Sequence, residues 1–569
     1  MRSTFALLFS AIAAIVCMGA ESAEPWWKHA LIYEIYPRSF QDSDGSGIGN
    51  LKGIAQRLDY VKSLGVNAVW LSPIYPSPQV DFGYDISDYE AIDPQYGTMA
   101  DFDRLLREAH QRGIRVIMDQ VLNHTSDQHT WFIESKSSRT NPKRDWYIWR
   151  DGKGPGQPPN NWQSDFGHSA WKFDPLTGQW YYHKFYAAQP DLNWRNPAVR
   201  KAMYDMIRFW MRKGVDGFRL DAITTLFEDP HLGDEPLRPG TNAYGDPNMG
   251  ETLTNNLPEV HEVLRELRKV TDEFPDRLLI GETYLANVAD LRKMYGARND
   301  ELQLPMDTQV GFINKLDVAL FRSKIADAET QLDGDMPLFV FDNHDNARSW
   351  DRYGDGQHND AIARLIAAVL LASRSVALMY YGQEIGMVTT PPTRKEDVRD
   401  PVGVTSWPKD KGRDGERTPM QWDATRNAGF TTGTPWLPVP PNYITVNVQS
   451  ESKQPGSMLE WYRRLIQLRA VNRALRDGAE IMLNTHDNNV LSWLRKSAGA
   501  GPSVPSVIVA CNFTSAPQTV SFDLRGQGIS GTTARTLVAT AAGNAEIPLD
   551  ISLNNLTLPP FGVFLGEVR

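Results

Sequence analysis

A (β/α)8 TIM barrel, interrupted by a small inserted domain and followed by an antiparallel β-sandwich, is the architecture this sequence predicts, and three observations carry it. Short apolar runs alternate with helix-periodic segments through most of the chain. Residues 124–193 break that alternation with a stretch rich in Gly, Pro, Asn, Trp and Tyr, and beyond about residue 474 short strand patterns between Gly, Asn and Ser turns replace the helices. Strand-helix repetition demands a parallel sheet with both faces covered, and the number of units favours a closed barrel over an open sheet. The expected division is 24–123 and 194–474 for the two parts of the barrel, 124–193 for the insert and 475–569 for the sandwich.

Each element has its own warrant. Arg2, the apolar run 5–18 and the small residues Gly19, Ala20 and Ala23 read as an export signal spanning 1–23, which predicts a secreted or periplasmic protein. The run is too short to cross a bilayer, so no membrane attachment is expected after cleavage. Cys17 leaves with the signal and Cys511 is then alone, so no intrachain disulfide forms. Leu31-Ile32-Tyr33-Glu34-Ile35-Tyr36 is the first strand pattern and precedes a helix over 51–64; 67–71 precedes a helix over 99–111; 115–119 leads into the insert, whose best strand is Tyr181-Tyr182-His183-Lys184-Phe185. A helix over 197–212 stops at Lys213-Gly214 before the short strand pattern 215–221. Further strands are expected over 277–282, 336–343 and 375–381, with helices over 257–271, 361–373 and 458–472. In the sandwich the strand patterns are 490–494, 506–511, 519–522, 549–553 and 562–565.

Charge and composition narrow the function. A net charge of −10 gives no reason to expect nucleic acid or an anionic membrane as partner, and no glycine loop follows a strand in the way a dinucleotide site needs. The 17 Trp supply flat apolar faces that suit sugar rings, although indoles also fill cores. Active sites of such barrels sit at the C-terminal ends of the strands. Four of those ends carry titratable groups: Asp119 with Asn123-His124, Arg219 with Asp221, Glu282, and His344-Asp345. Side chains alternate along a strand, so Arg219 and Asp221 share a face, and the guanidinium is expected to keep the acid ionised.

This set resembles the α-amylase superfamily, glycoside hydrolase family thirteen. Asp119-Gln120-Val121-Leu122-Asn123-His124, Gly217–Asp221, Glu282 and Asn343-His344-Asp345 are similar to its conserved blocks; Gln189-Pro190-Asp191-Leu192-Asn193 and Arg417-Thr418-Pro419-Met420-Gln421-Trp422 resemble motifs of its oligo-1,6-glucosidase and α-glucosidase subgroup. The resemblance implies that Asp221 is a nucleophile, Glu282 a general acid/base and Asp345 a stabiliser of the transition state. It also implies that Asp81, Tyr84, His124, Arg219, His344 and Arg417 line a pocket for a terminal glucose, with Phe166, Phe185 and Gln189 close by. An Asp81–Arg417 pair at a blind end would block longer chains and enforce exo action on small oligosaccharides. Crowding of Glu282 by Asp221 and Asp345 is expected to raise its pKa. Ala222 stands where the subgroup resembles a linkage switch, with valine in relatives preferring α-1,6 bonds, so α-1,4 preference is expected.

Asp42-Ser43-Asp44-Gly45-Ser46-Gly47-Ile48-Gly49-Asn50 places oxygens at alternate positions, as a calcium loop does, although Gly53 at the twelfth position excludes an EF-hand. It resembles the subgroup's structural Ca²⁺ loop, with Asp42, Asp44, Ser46, Asn50 and the Ile48 carbonyl as ligands; an Asx-rich turn is the alternative. Three activities stay open: hydrolysis as an exo-α-glucosidase, including an oligo-1,6-glucosidase; glucosyl transfer or sucrose isomerisation; and a non-enzymatic relative. The second is disfavoured because Lys315-Leu316-Asp317-Val318-Ala319 lacks both arginines of the isomerases' Arg-Leu-Asp-Arg loop, and the third because the three carboxylates are intact.

Overall fold

In a computed structural model of the chain, residues 24–499, 504–541, 543 and 546–569 are described; the expected export signal 1–23, with Cys17, lies outside them. Eight parallel strands close a barrel: β1 (Leu31–Ile35), β2 (Ala68–Leu71), β3 (Arg115–Val121), β4 (Gly217–Asp221), β5 (Leu278–Gly281), β6 (Leu304–Asp307), β7 (Leu338–Val340) and β8 (Val376–Tyr380). Each pairs with its neighbours in sequence, and β8 closes on β1 through Leu31↔Ala377. Seven of these strands fall on predicted runs. The sixth was missed because Leu304-Pro305-Met306-Asp307 is four residues long and carries a proline, which reads as a break rather than a strand.

Residue parity builds the barrel. Ile32, Ala68, Ile117, Ile280, Met306, Leu338 and Leu378 belong to one apolar cluster, the barrel interior, while Leu31, Tyr33, Val116 and Leu279 join the larger cluster between strands and helices. Buried on both faces, the strands have no polar side until their ends. The helices earn their places by capping and amphipathicity. Asn50 accepts from Gly53 N to start Leu51–Leu64, which ends on Gly65 at φ 88°; Thr98 and Asp101 form a capping box at Met99–Gln111, whose Phe102, Leu105, Leu106 and Ala109 are buried. Each fully buried side chain of that size contributes about 1.5–3 kcal/mol.

Between β3 and β4 the insert forms a three-stranded antiparallel sheet, Trp149–Arg150, Gln179–Tyr182 and Trp171–Asp174, over its own core of Ile148, Trp162, Ala170, Trp171 and Tyr182. The predicted strand there is shifted: it ends at Tyr182, and His183 to Phe185 continue without strand pairing. C-terminally a six-stranded antiparallel sheet and a two-stranded one pack around Leu494, Ile508, Val520, Phe522, Leu556 and Phe564. Strands Ala479–Leu483, Thr533–Ala539 and Leu556–Leu558 had no counterpart in the predicted set. Cys511 is buried in this unit as a free thiol.

The Asp42–Asn50 loop is saturated from within. Asp42 Oδ1 accepts from Asp44 N (2.9 Å) and Gly45 N (3.0 Å), and Oδ2 from Gly47 N (2.8 Å) and the Thr431 hydroxyl. Asn50 Oδ1 takes Ser43 Oγ (2.8 Å) and Gly53 N (2.9 Å), while Ser46 Oγ donates to the Ile48 carbonyl (3.2 Å). A carboxylate offers about four lone-pair sites, and all four of Asp42 face donors. Of the loop's two carboxylates only that of Asp44 retains capacity, the Ile48 carbonyl and Ser46 Oγ keep one lone pair each, and calcium takes about 6–8 oxygens, so the donor set does not fit the expected ion.

Candidate active site

The interior parity of the strands continues past the apolar layer into charge. Above Ile32 comes Glu34, above Ile117 comes Asp119, above Gly217 come Arg219 and Asp221, and above Ile280 comes Glu282. Register sets them side by side, since Asp119 pairs with Arg219 and Arg219 with Ile280. The charged layer is thus a consequence of strand period and pairing alone.

Arg219, 1% exposed, gathers three carboxylates. Its Nη1 lies 3.0 Å from both oxygens of Asp119 and 2.7 Å from Asp221 Oδ1, and its Nη2 bonds Glu282 Oε1. The expectation that Arg219 keeps Asp221 acidic needs correction. The guanidinium does act downward, but burial outweighs it, and Asp119 and Asp345 add repulsion, so the Asp221 carboxyl is raised. Burial likewise pushes Glu282 up to about 7 against Arg219, with Asp221 and Asp345 adding to the rise as expected. Asp119 is raised to about 6 for the same reason.

Asp345 sits in the opposite environment. Arg413 Nη1 (2.9 Å) and Arg417 Nη2 (2.8 Å) both bond its Oδ1, and His344 Nε2 is 3.3 Å from its Oδ2. Burial opposes the charge, but the His344 imidazole beside Oδ2 and the Arg413 and Arg417 guanidiniums, the two full charges, hold this carboxyl well below the usual range. The closed end of the site is also made differently from expectation. Asp81 pairs not with Arg417 but with Arg413 Nη2 (2.8 Å), which reaches Asp400 through Nε (2.8 Å) and lies 5.3 Å over the Phe166 ring. Arg417, fully buried, stands behind the wall and donates to the His344 carbonyl (2.6 Å). Arg413 escaped sequence reasoning because its loop has neither period nor flanking strand.

The remaining expected residues gather at the same end. Gln189 Nε2 donates to Asp81 Oδ2 (3.1 Å). His124 Nε2 is 3.1 Å from the Tyr84 carbonyl, which can only accept, so that nitrogen carries a proton; burial holds His124 down at about 4 and hence neutral. Phe185 packs on His124 (centroids 5.2 Å) and Phe166 on Phe185 (5.6 Å). Glu34, raised by burial, is 2.6 Å from His344 Nδ1; His344 Nε2 is 2.7 Å from Tyr84 Oη; and Tyr84 Oη donates to Asp119 Oδ2 (3.0 Å). The sense that leaves no two acceptors facing one another runs from a protonated Glu34 through a neutral His344 to Tyr84 and Asp119.

Ala222 ends β4 in the left-handed region (φ 44°, ψ 36°), and its N–H donates to Glu282 Oε2 (2.8 Å). It lines a cavity of about 680 Å³ together with Asp81, Tyr84, Asp221, Glu282 and Asp345, with Tyr284 beside Glu282 and Tyr244 opposite as further walls that sequence reasoning missed. Tyr244 is the tip of a hairpin, Leu237–Thr241 and Pro247–Met249, that leans on the insert: Asp246 Oδ2 accepts from His168 N (2.7 Å), and a Cβ on Gly167 would come within 2.4 Å of the Tyr244 ring. The cavity is therefore closed at the Asp81–Arg413 end and roofed by the hairpin.

A buried carboxylate pair on one guanidinium, a third carboxylate held ionised, and a closed polar end suit a glycosidic bond. Residues 34–478 match the family model for the α-amylase catalytic domain. The chain is 41% identical over 488 residues to a probable α-glucosidase of Rhizobium meliloti, covering 84% of this chain and 88% of that one. It is 42% identical over 479 residues to an oligo-1,6-glucosidase of Parageobacillus thermoglucosidasius, covering 78% and 83%. Among solved structures, the α-glucosyl transfer enzyme XgtA superposes with a TM-score of 0.86 at 37% identity, and the trehalulose synthase MutB of Pseudomonas mesoacidophila MX-45 with 0.85 at 35%; each alignment covers 96% of this chain and 100% of the other.

Proposed function

This chain belongs to the α-amylase family, within its oligo-1,6-glucosidase and α-glucosidase subgroup, and from that premise we propose a retaining exo-α-glucosidase that releases terminal glucose from maltose-like α-1,4-linked oligosaccharides. It is a glycoside hydrolase; the substrate and mechanism are our reading. The observation that carries it is the single guanidinium of Arg219 shared by Asp221 and Glu282. Two carboxylates on one such group are close, in keeping with the separation of about 5–5.5 Å that retaining enzymes use rather than the wider gap of inverting ones.

The chemistry follows from the charge count. Asp221 and Glu282 are both raised, so near neutral pH they hold one proton between them, leaving one carboxylate and one acid. Asp221 attacks the anomeric carbon as the bond to the leaving oxygen breaks, and Glu282 gives that oxygen its proton. Glu282, now ionised, takes a proton from water, whose oxygen displaces Asp221 and restores the original configuration. Asp345, ionised by its two arginines, faces the sugar hydroxyls and the developing positive charge. Asp81 and Arg413 close the far end, which limits cleavage to the terminal residue.

Glucosyl transfer is the second reading, supported by the likeness to XgtA along nearly the whole chain; it differs only in a sugar or alcohol replacing water. Product analysis with maltose, isomaltose and sucrose separates the readings: glucose from maltose is expected, and isomerised sucrose as the main product would overturn hydrolysis. We further propose that the Asp42–Asn50 loop is held by its own donors, so a chelator leaves the melting temperature unchanged, and a rise with added Ca²⁺ would restore the calcium expectation. Export through residues 1–23 remains part of the proposal, and the N-terminal sequence of the mature protein tests it.

A further inference from the structure

We propose that Glu416 is a specificity-determining residue of this site, its carboxyl hydrogen-bonding a hydroxyl of the sugar on the far side of the scissile bond: the leaving glucose in hydrolysis, or the acceptor in transfer. The inference rests on the α-glucosidase reading and deepens it. Glu416 is 5% exposed and is one of the residues that line the active cavity. A glutamate buried to that degree is ordinarily paired or hydrogen-bonded. Here the main chain carries the structural work, since the Glu416 carbonyl accepts from Arg348 Nη2 (2.9 Å) and Tyr380 Oη (3.2 Å). The carboxyl has no ion pair and no side-chain hydrogen bond among the described residues and meets only its own backbone N–H; Arg413 and Arg417 bond Asp81, Asp345, Asp400 and the His344 carbonyl, and Arg417 Nη1 is left without a partner.

Position decides which sugar it meets. The closed end is a continuous network in which Asp81, Gln189, Arg413 and Asp345 already bond one another, and Glu416 is not part of it. Its segment runs beside residues 389–391: Thr390 N donates to the Gly415 carbonyl (3.0 Å), and a Cβ on Gly415 would lie 2.8 Å from the Thr389 methyl. Thr389 and Asn346 are half-buried and Ala347 is exposed, so this wall belongs to the mouth side of Asp345. Burial pushes the Glu416 carboxyl up to about 8 against Arg417 and Arg413, so near neutral pH it carries a proton. A neutral carboxyl offers one donor and one acceptor, which matches a hydroxyl.

The test compares maltose, whose leaving group is a sugar, with 4-nitrophenyl α-glucoside, whose leaving group has no hydroxyl to hold. In Glu416→Ala, kcat/KM for maltose is expected to fall at least tenfold further than for the aryl glucoside, chiefly through KM, at an unchanged Tm. Glu416→Gln, which keeps a donor and an acceptor, restores most of the maltose activity. Equal losses on both substrates, or no loss on either, overturn the assignment. Should the alanine variant fail to fold, Glu416→Met fills the space without hydrogen bonds and faces the same comparison. Wild-type enzyme that leaves maltose intact while cleaving the aryl glucoside overturns the α-1,4 reading and this assignment with it; equal losses with maltose cleaved overturn only the role of Glu416.

Discussion

Two groups of three carboxylates share the C-terminal face of the barrel, and they differ in the number of arginines that serve them. Asp119, Asp221 and Glu282 surround Arg219 alone; Asp81, Asp345 and Asp400 surround Arg413, and Arg417 joins at Asp345. Five of the six are buried and Asp345 is 24% exposed, and desolvation acts on both groups in the same direction. Yet the first group is raised, Glu282 to about 7, while Asp345 and Asp400 are lowered, Asp400 to about 2. At Asp345, served by His344, Arg413 and Arg417, and at Asp400, served by the two arginines, attraction beats burial; around the single Arg219 it does not. Protonation in this site follows how many compensating partners the strands and loops deliver to each carboxyl.

The sharpest way to break that comparison is to empty the arginine-poor group of its proposed nucleophile. Asp221→Asn is expected to lower kcat by about 10⁴ or more, because amides do not form glucosyl esters. Relieving repulsion around one arginine should leave Tm unchanged or raise it, and turnover near wild type would sink the nucleophile assignment. Removing the extra cation from the rich group comes next. Arg413→Met leaves Asp81 and Asp400 without their shared partner and is expected to cost about 3–5 kcal/mol of stability in denaturant titrations. Its kcat/KM should fall about hundredfold as Asp345 loses one of its two guanidiniums. A variant as stable as wild type would show that these charges are not balanced as described.

A smaller and wild-type test is pH. In the proposed mechanism Glu282 must be protonated to donate, so with its pKa raised to about 7, kcat/KM should fall about tenfold per unit above that pH. A profile flat from pH 7 to 9 contradicts the sharing of one arginine by three acids. The smallest effect expected is at Ala222. Valine there would crowd the leaving sugar and is expected to move the kcat/KM ratio toward isomaltose by up to about tenfold. Because the residue has φ 44°, valine should also cost about 1–2 kcal/mol in stability. An unchanged ratio would separate this residue from linkage choice.

Strand parity made the arginine-poor group legible in advance: Arg219 and Asp221 share a face by period alone, and Glu282 ends an unmistakable apolar run. The rich group was half hidden. Asp345 follows a strand, but Arg413 lies in a loop whose path no period specifies, and Arg417 took its place at Asp81 in the expectation. Among the elements, β6 was hidden by its proline and its length, Thr533–Ala539 by a part-exposed, weakly alternating sequence, and Leu556–Leu558 by being only three residues long. The loop at Asp42 shows a different limit, because spacing reveals which oxygens are available but not which of them the fold has already spent on its own N–H groups.

The left-handed turn at Ala222 has one more consequence. What steadies Glu282 from this side is a main-chain amide, and every amino acid except proline supplies one. The same residue forms part of the cavity wall. A gene encoding this barrel can therefore change the residue after Asp221, and with it the cavity wall, while the amide contact to Glu282 is inherited intact: cavity shape and the hold on Glu282 sit on one residue but on different atoms, free to evolve at different speeds.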